Sequence, residues 1–328
     1  RRAIRERVVR RFFHEKGERM KKTVDLIVPV YRPDQKWKLL IEGIKKQTYP
    51  VQRILVMNTG KENWKTEYEQ WCGNMEVHHV KQESYDHGET RDQAARLSQA
   101  DYLLFMTQDA VPADEKLVEE LVKALEQGRD IKAAYARQLP AEDCRLMERF
   151  TRSFNYPEES RIKRKADLKT LGIKTYFCSN VCAMYERETY LEMGGFVKKT
   201  IFNEDMIFAG SLIQAGGAVA YAAEAKVIHS HNYSALQQFH RNFDLAVSQA
   251  DHPEIFSGVR SEGEGIRLVK ETASWLCRQG KPWLVFSLVW NSGWKYLGYL
   301  LGKRYRSLPR WMIRQCTSQK SYWEEKKE

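Results

Sequence analysis

From Thr23 onward, short apolar runs alternate with longer amphipathic stretches. Four of these runs are short enough to be buried strands, at residues 24–30, 53–57, 76–80 and 102–106. Between them, apolar residues recur every three to four positions, which predicts helices after Asp34, from Thr90 and from Pro112. Strands separated by single helices predict an α/β fold with a mostly parallel, Rossmann-like sheet and right-handed crossovers.

The regular pattern is lost after residue 140 and returns later in the chain. Residues 141–175 are polar and basic, which indicates a mobile insertion over one edge of the sheet. A strand is expected within 177–185, a helix at Glu204, and two short strands at 218–221 and 225–228.

Beyond about residue 255 the chain is expected to be helical, with one continuous apolar face. The members of this face recur every three to four residues and are Trp283, Phe286, Trp290, Trp294, Leu297 and Leu301. We therefore divide the chain into a basic arm at 1–22, an α/β domain at 23–254 and a helical region at 255–328.

The net charge of +11 is concentrated at the two ends of the chain. Residues 1–22 hold ten Lys and Arg against three Glu, and residues 278–328 hold eleven against three, so residues 23–277 are net negative. A nucleic-acid-binding core would be expected to be basic, so we expect no nucleic-acid partner. Basic ends favour contact with an anionic membrane surface, and the alternative is that they are only solvated faces.

Hydropathy limits how such a chain could meet a membrane. No apolar run approaches the roughly 18 residues of a membrane-spanning helix, and no secretory segment is visible near residue 1. The 42% content of hydrophobic residues is sufficient for a packed core. We therefore expect a cytoplasmic protein that is peripheral on the inner face of the cell membrane, and whose helical region makes the contact.

Asp109 is the first candidate for chemistry, because it follows the apolar run at 102–106 at the carboxyl end of a predicted strand. Ligands of open α/β sheets bind at that edge. Carboxylate oxygens suit Mg²⁺ or Mn²⁺, which can neutralise the diphosphate that leaves when a sugar is transferred from a nucleotide. His229 and His231 lie two residues apart and would share one face of a strand, so either could complete the metal site. The alternatives are a turn residue for Asp109 and structural hydrogen bonding for the histidines.

Glu204 and Asp205 are a second pair of candidates, at the predicted start of a helix after a Gly-Gly turn. Sugar transfer with inversion needs a general base that deprotonates the acceptor hydroxyl. We assign Asp205 as this base and Glu204 as the residue that orients the acceptor. The alternative is that acidic residues here only complement the helix dipole.

The remaining candidates would bind the donor nucleotide. His87 and Arg91 precede a predicted helix start, where backbone N–H groups and a guanidinium could meet phosphate. Pro29, Tyr31 and Asn58 end the first two predicted strands, where a nucleoside pocket would lie, and Gln108 stands beside Asp109. Turn residues also occupy such places without binding anything.

Taken in order, these motifs resemble family 2 glycosyltransferases of the GT-A fold, and within them the bacterial rhamnosyltransferases, over residues 23–323. The matching segments are Pro29-Val30-Tyr31, His87-Gly88-x-x-Arg91, Leu104 to Ala110, Arg137 to Pro140, Asn155-Tyr156-Pro157, Ser179-Asn180, Asn203 to Met206 and His229 to Tyr233. The resemblance implies an inverting enzyme with a divalent metal, a dTDP-rhamnose donor and a polysaccharide or lipid-linked acceptor, as in O-antigen or capsule synthesis. Two positions depart from the family pattern: Thr107 replaces the first Asp of Asp-x-Asp, and Asn58 replaces an acidic residue.

Two other readings compete with a rhamnosyltransferase. The same fold could use another nucleotide sugar, because no residue identifies the sugar unambiguously. In a different class, the chain could be a catalytically inactive membrane- or nucleic-acid-binding protein built on this fold. The presence of Asp109 and Asp205, and the negative balance of residues 23–277, argue against an inactive protein.

Overall fold

A computed structural model describes residues 21–259 and 262–325, so residues 1–20 of the basic arm lie outside the described residues. The strands of the described chain form one nine-stranded sheet. They are β1 (Val24–Tyr31), β2 (Arg53–Thr59), β3 (Met75–Val80), β4 (Tyr102–Met106), β5 (Val111–Pro112), β6 (Ile131–Leu139), β7 (Arg161–Lys163), β8 (Cys182–Glu186) and β9 (Ala218–Ile228). Their order across the sheet is β3-β2-β1-β4-β8-β6-β9-β5, and β7 pairs with β9.

Thirteen α-helices accompany this sheet within the same residues. They are α1 (Gln35–Lys45), α2 (His87–Leu97), α3 (Leu117–Glu126), α4 (Leu146–Asn155), α5 (Leu168–Leu171), α6 (Arg187–Glu192), α7 (Glu204–Gln214), α8 (Ala235–Asp251), α9 (Pro253–Phe256), α10 (Glu262–Arg278), α11 (Leu284–Lys303), α12 (Arg310–Cys316) and α13 (Tyr322–Glu325). The four strands and the first helix expected in the early part of the chain are present, and Asp34 caps α1 by accepting from the backbone N–H of Lys36 at 2.9 Å.

The direction of the strands decides where the site can form. β1 pairs in parallel with β2 and β4, and β6 pairs in parallel with β9. β8 lies antiparallel between β4 and β6, so β4 and β6 run in the same direction. The carboxyl ends of β1, β4, β6 and β9 therefore meet at one edge of the sheet, and apolar side chains cover both faces behind it.

Residues 141–175, expected as a mobile insertion, instead contain α4 and β7. β7 pairs with β9 antiparallel, and the hydroxyl of Tyr221 in β9 donates to the carbonyl of Pro157 at 2.6 Å. The sequence pattern did not indicate β7 because an edge strand needs few apolar residues once its backbone is hydrogen-bonded to a neighbouring strand.

Three other boundaries differ from the prediction. Residues 218–228 form one strand and not two. The pairing register between β6 and β9 shifts between Ala136 and Arg137, and this shift lets β9 continue through the polar residue between the two predicted strands. The helix expected from Pro112 starts at Leu117, since Val111 and Pro112 pair with β9. The helix expected from Thr90 begins one turn earlier, after Asp86.

The C-terminal helices dock on α8 through two glycines. A Cβ at Gly298 would lie 2.3 Å from the carbonyl oxygen of Phe239, and a Cβ at Gly302 would lie 2.3 Å from that of Phe243. Only glycine therefore permits this approach of α11 to α8. Within residues 21–259 and 262–325, no helix combines the length and the apolar character that crossing a bilayer requires.

The predicted apolar face of this region is divided between two environments. Trp294 and Leu301 pack into a cluster with Phe239, as an inward-facing helix stripe would. Trp283 and Phe286, by contrast, are 67% and 80% exposed, and Trp290 and Leu297 are also exposed. The helix thus has both a docked side and an exposed aromatic side.

Candidate functional site

Three predicted metal ligands come together at the carboxyl edge of the sheet, and we call them the ligand cluster. Asp109 lies in the turn after β4, and His229 and His231 follow β9. The Asp109 Oδ2 atom is 3.5 Å from His229 Nε2 and 3.2 Å from His231 Nε2, and the two Nε2 atoms are 3.0 Å apart. One ligand atom from each residue lies within 4.8 Å of the others, a spacing that one metal ion could bridge.

Gln138, at the end of β6, fixes the orientation of His229. The amide oxygen of Gln138 is 3.0 Å from His229 Nδ1, and Arg152 also donates to that oxygen. Because an amide oxygen only accepts hydrogen bonds, Nδ1 is the nitrogen that donates to Gln138, and Nε2 is the nitrogen that faces the cluster. A histidine that donates its other N–H to a fixed acceptor is a common arrangement at metal sites.

Electrostatics favour the ligand forms of two cluster members. Burial works to raise the pKa of Asp109, but the hydrogen bond and charge of His229 and the hydroxyl of Thr107 outweigh it, so the pKa falls well below its usual range. Burial, helped by the charge of His229, lowers the pKa of His231 to about 4. A charged carboxylate beside imidazole nitrogens forms a mixed oxygen and nitrogen donor set that fits Mn²⁺ or Mg²⁺.

The two carboxylates at the start of α7, which we call the carboxylate pair, are held by a different set of contacts. Asn203, the residue before them, has a left-handed backbone with φ of 65°, and its side chain donates to the carbonyl of Leu245 at 3.2 Å. Asp205 accepts from the backbone N–H groups of Asn180 at 2.9 Å and Met206 at 2.7 Å. Its carboxylate is therefore fixed in direction while remaining partly exposed.

The pKa values of Glu204 and Asp205 are shifted in opposite directions. Burial disfavours the charged form of Glu204, but the guanidinium of Arg91, 3.3 Å away, and the nearby His87 lower its pKa below the usual value. Burial and the adjacent charge of Glu204 raise the pKa of Asp205 to about 7. Adjacent carboxylates whose pKa values diverge in this way are typical of an acid–base site, and Asp205 is the member suited to exchange a proton near neutral pH.

Residues 179–181, the bridging loop, connect the ligand cluster to the carboxylate pair. Ser179 accepts from the Gln138 amide at 3.1 Å, and the Asn180 side chain donates to Glu204 at 3.2 Å. The backbone N–H of Thr107 donates to the carbonyl of Val181 at 3.1 Å, which holds this loop beside the end of β4. Sequence analysis assigned no separate role to Gln138, Ser179 and Asn180, and their only signal was their place in the ordered set of motifs.

Of the predicted donor-binding residues, Gln108, Tyr31 and Pro29 lie at the expected sheet edge. Both ends of the Gln108 amide are hydrogen-bonded to the protein backbone. The amide oxygen accepts from the Tyr31 N–H at 2.7 Å, and the amide nitrogen donates to the Tyr31 carbonyl at 3.0 Å. It therefore holds the end of β1 against the turn that carries Asp109. Tyr31 is 39% exposed and could meet a ligand, and Pro29 lies partly buried within β1.

Asn58 lies near the end of β2, as expected, and its contacts there are with the protein itself. Its side chain is fully buried, and its amide nitrogen contacts the carbonyl of Gly60 at 3.1 Å and His79 Nδ1 at 3.0 Å. The structure thus shows Asn58 shaping the turn after β2, because a buried amide meets its own backbone before it can meet a ligand.

His87 and Arg91 also correct the prediction, since they lie within α2 and not before it. Arg91 is buried, donates to the His87 carbonyl at 2.9 Å and pairs with Glu204, so these contacts support the carboxylate pair. Its contact with a phosphate stays a prediction. The His87 ring contacts the Tyr85 hydroxyl at 3.1 Å and the Gln319 amide at 3.3 Å. Gln319 was missed because it comes from the far end of the sequence, which shows that the C-terminal segment reaches the site.

Comparison with known proteins places this geometry in context. A family model described as Glycosyl transferase family 2 matches residues 25–194. The chain is 38% identical over 304 residues to the O-antigen chain rhamnosyltransferase RfbN of Salmonella typhimurium, an alignment that covers 92% of this chain and 96% of the relative. It is also 38% identical over 304 residues to the O-antigen chain rhamnosyltransferase WbaN of Salmonella anatum, with 91% and 95% covered.

Solved structures resemble the chain at a greater distance. The mannosyltransferase PcManGT from Pyrobaculum calidifontis, in complex with GDP-Man and Mn²⁺, aligns with a TM-score of 0.58 and 13% identity, covering 90% of this chain and 91% of the other. TarS residues 1–349 from S. aureus align with a TM-score of 0.52 and 13% identity, covering 87% and 91%. At these identities the likeness concerns the fold alone.

Proposed function

The chain belongs to glycosyl transferase family 2 and has the GT-A fold, and from this premise we propose that it is an inverting rhamnosyltransferase. It would move L-rhamnose from dTDP-rhamnose to a glycan or lipid-linked acceptor in the synthesis of a cell-surface polysaccharide. That the chain is a glycosyltransferase follows from its family, while the sugar and the O-antigen type of acceptor are supported by the printed activity of the two relatives. The observation that carries the mechanism is the carboxylate pair, with one member charged and the other poised near neutral pH.

The ligand cluster and the carboxylate pair would have different roles in the transfer. Asp109, His229 and His231 would hold Mg²⁺ or Mn²⁺, which when bound neutralises the diphosphate of the donor. Asp205 would accept the proton of the acceptor hydroxyl as its oxygen bonds to the anomeric carbon and the bond from that carbon to the diphosphate oxygen breaks. Glu204, kept charged by Arg91, would accept a hydrogen bond from the acceptor and so orient it.

A second donor remains a candidate because the fold alone does not select the sugar. The structurally similar PcManGT is described with GDP-Man, whereas the relatives closer in sequence are described as rhamnosyltransferases. Family 2 chemistry with another nucleotide sugar would use the same ligand cluster and the same base. The difference lies only in the groups that contact the sugar and the nucleobase.

The helical region at 255–328 would bring the site to a membrane, while residues 23–254 carry the catalysis. Its exposed aromatic side chains at Trp283, Phe286 and Trp290 stand among the eleven basic residues of 278–328. Aromatic rings suit the headgroup depth of a bilayer, and Lys and Arg are attracted to anionic lipids. This combination supports a peripheral position on the cytoplasmic face of the cell membrane, where a lipid-linked acceptor would be met.

A donor screen with the purified full chain tests the proposal. Transfer and nucleotide release are measured with dTDP-rhamnose, UDP-GlcNAc and GDP-mannose, each with Mn²⁺, with Mg²⁺ and with EDTA. We expect metal-dependent release of dTDP from dTDP-rhamnose and little from the others. Turnover of a different donor would retain the enzyme class but replace the sugar, and no turnover of any donor would favour an inactive protein on this fold.

A further inference from the structure

Residues 317–319, which we call the anchored segment, follow α12 and are fixed on α8. Asp244 of α8 is fully buried, and its carboxylate accepts from the Thr317 hydroxyl at 2.6 Å and from the Ser318 backbone N–H at 2.9 Å. The Ser318 hydroxyl donates to the same carboxylate. The backbone N–H of Gln319 donates to the Thr317 hydroxyl at 3.0 Å. A buried carboxylate with this many donors holds the segment in one position.

The anchored segment places the side chain of Gln319 against His87, at the start of α2. The amide nitrogen of Gln319 is 3.3 Å from His87 Nε2. Because an amide nitrogen only donates, His87 Nε2 accepts this hydrogen bond, and Nδ1 is the nitrogen that contacts the Tyr85 hydroxyl at 3.1 Å. An imidazolium ring has no acceptor nitrogen, so the contact with Gln319 requires a neutral ring. The two contacts together fix the protonation state and the orientation of the ring.

Charged groups from three helices face His87. Burial is the largest influence on this histidine and lowers its pKa. Glu204 on α7 opposes this shift, while Arg91 on α2 and Arg241 on α8 add to it. The neutral ring is therefore favoured by its surroundings, and a hydrogen bond to the neutral form favours it further.

The charge of His87 matters because Glu204 lies nearby. Arg91 is the cation that pairs with Glu204 at 3.3 Å, and a charged His87 would act on the same carboxylate. The negative charge of Glu204 helps to raise the pKa of Asp205. A second cation at this place would weaken that effect and make the proposed base a poorer proton acceptor.

We propose that Gln319 is a positioning residue for the transfer reaction, because it holds the His87 imidazole neutral and in one orientation beside Glu204. Asp244 supports this contact by fixing the anchored segment on α8. The inference rests on the proposed function, since it assigns Gln319 a part in proton transfer. The helical region would then contribute to the chemistry as well as to a membrane contact.

Transfer kinetics of the full chain give the first test. Release of dTDP from dTDP-rhamnose is followed with Mn²⁺ and a saturating amount of membrane lipid extract as the source of acceptor. Gln319→Leu removes the hydrogen bond but keeps the approximate size of the side chain. Loss of one hydrogen bond at this position should lower kcat by roughly 3- to 10-fold. The KM for dTDP-rhamnose should not change, because Gln319 does not bind the donor in this account.

The second test measures the ring itself and needs no substrate. The chain is labelled with ¹³C-histidine, and the His87 resonance is identified by its absence from His87→Asn and followed against pH. Gln319→Glu has the same shape as the parent residue but replaces the donor nitrogen with an acceptor oxygen. A carboxylate beside Nε2 favours the imidazolium, so the His87 pKa should rise in this variant. A residue that only fills space would leave the titration where it was.

The matched control is Gln315→Leu, an exposed glutamine on α12, which should keep the parent kcat and the parent His87 titration. Thermal unfolding followed by circular dichroism checks that each variant is folded. An unchanged kcat in folded Gln319→Leu, or an unchanged His87 titration in folded Gln319→Glu, would overturn the proposal. So would a Gln319→Leu variant that only needs more lipid extract for saturation, since that would assign Gln319 to acceptor binding. A parent chain without transfer activity would refute the proposed function and the inference with it, whereas an active parent with unaffected variants would refute the inference alone.

Discussion

The ligand cluster and the carboxylate pair both contain a partly exposed aspartate, yet the pKa values of the two aspartates are shifted in opposite directions. Burial acts to raise both pKa values, but at Asp109 the contact with His229 reverses the effect, whereas at Asp205 the charge of Glu204 adds to it. Asp109 therefore stays charged and suits a cation, and Asp205 suits a proton. The comparison shows that the neighbouring side chains, and not the residue type or its burial alone, make one carboxylate suited to a metal and the other suited to a proton.

Among these variants, Asp205→Asn should cause the largest loss of transfer activity. The substitution retains the shape of the side chain but removes the carboxylate proposed to accept the acceptor's proton. Loss of a general base commonly lowers the rate about 10²- to 10⁴-fold. Single-turnover transfer should fall by this amount, while dTDP-rhamnose affinity measured by calorimetry should stay close to that of the parent chain.

The matched control for this variant is Asp130→Asn, since Asp130 forms an exposed ion pair with Arg164 away from the site. It should leave the rate unchanged. Near-normal transfer by the Asp205 variant would reject Asp205 as base and remove the proposed division of roles.

Asp109→Ala should mainly weaken the binding of metal and donor, with less effect on proton transfer. Replacing a residue that merely supports a metal ligand commonly costs about 10- to 100-fold in metal affinity, so loss of a ligand should cost at least as much. Titration with Mn²⁺, followed by electron paramagnetic resonance, should show weak binding, and donor affinity should no longer respond to EDTA. His229→Ala and His231→Ala, made separately, should each show part of this loss. An unchanged EDTA response in the Asp109 variant would mean that the metal binds elsewhere.

A smaller effect is expected at the exposed side of α11, which contrasts with the docked side that carries Gly298 and Gly302. The paired substitution Phe286→Ala and Trp290→Ala should weaken flotation with anionic liposomes by roughly tenfold, because each ring buries apolar area at the interface. High salt should weaken binding of the parent chain only in part, since salt screens the charges but not the rings. Ile266→Ala, which removes a similarly exposed side chain from α10, is the control. No binding by the parent chain at low salt would leave this surface without a membrane role.

The sequence predicted what depends on neighbours along the chain. Asp109 and the histidines were found because each follows a strand, and parallel strands bring their carboxyl ends to one edge. It could not predict contacts between distant segments. Arg91 pairs with Glu204, and Gln319 reaches His87 from the loop between the last two helices. The antiparallel direction of β8 was also hidden, because a strand buried on both faces shows the same apolar run in either direction.

The pH dependence of the chemical step, compared between the parent chain and Glu204→Gln, tests the central claim most directly. Asp205 must be unprotonated to act as base, and its pKa is raised to about 7, so the single-turnover rate of the parent chain should fall as the pH drops through about 7. Glutamine removes the negative charge that helps to raise this pKa but retains an acceptor for Arg91, so the acid limb of the profile should move to lower pH. An acid limb that stays in place or moves to higher pH in the folded variant would contradict the account, because the charge of Glu204 would then not raise the pKa of the catalytic base.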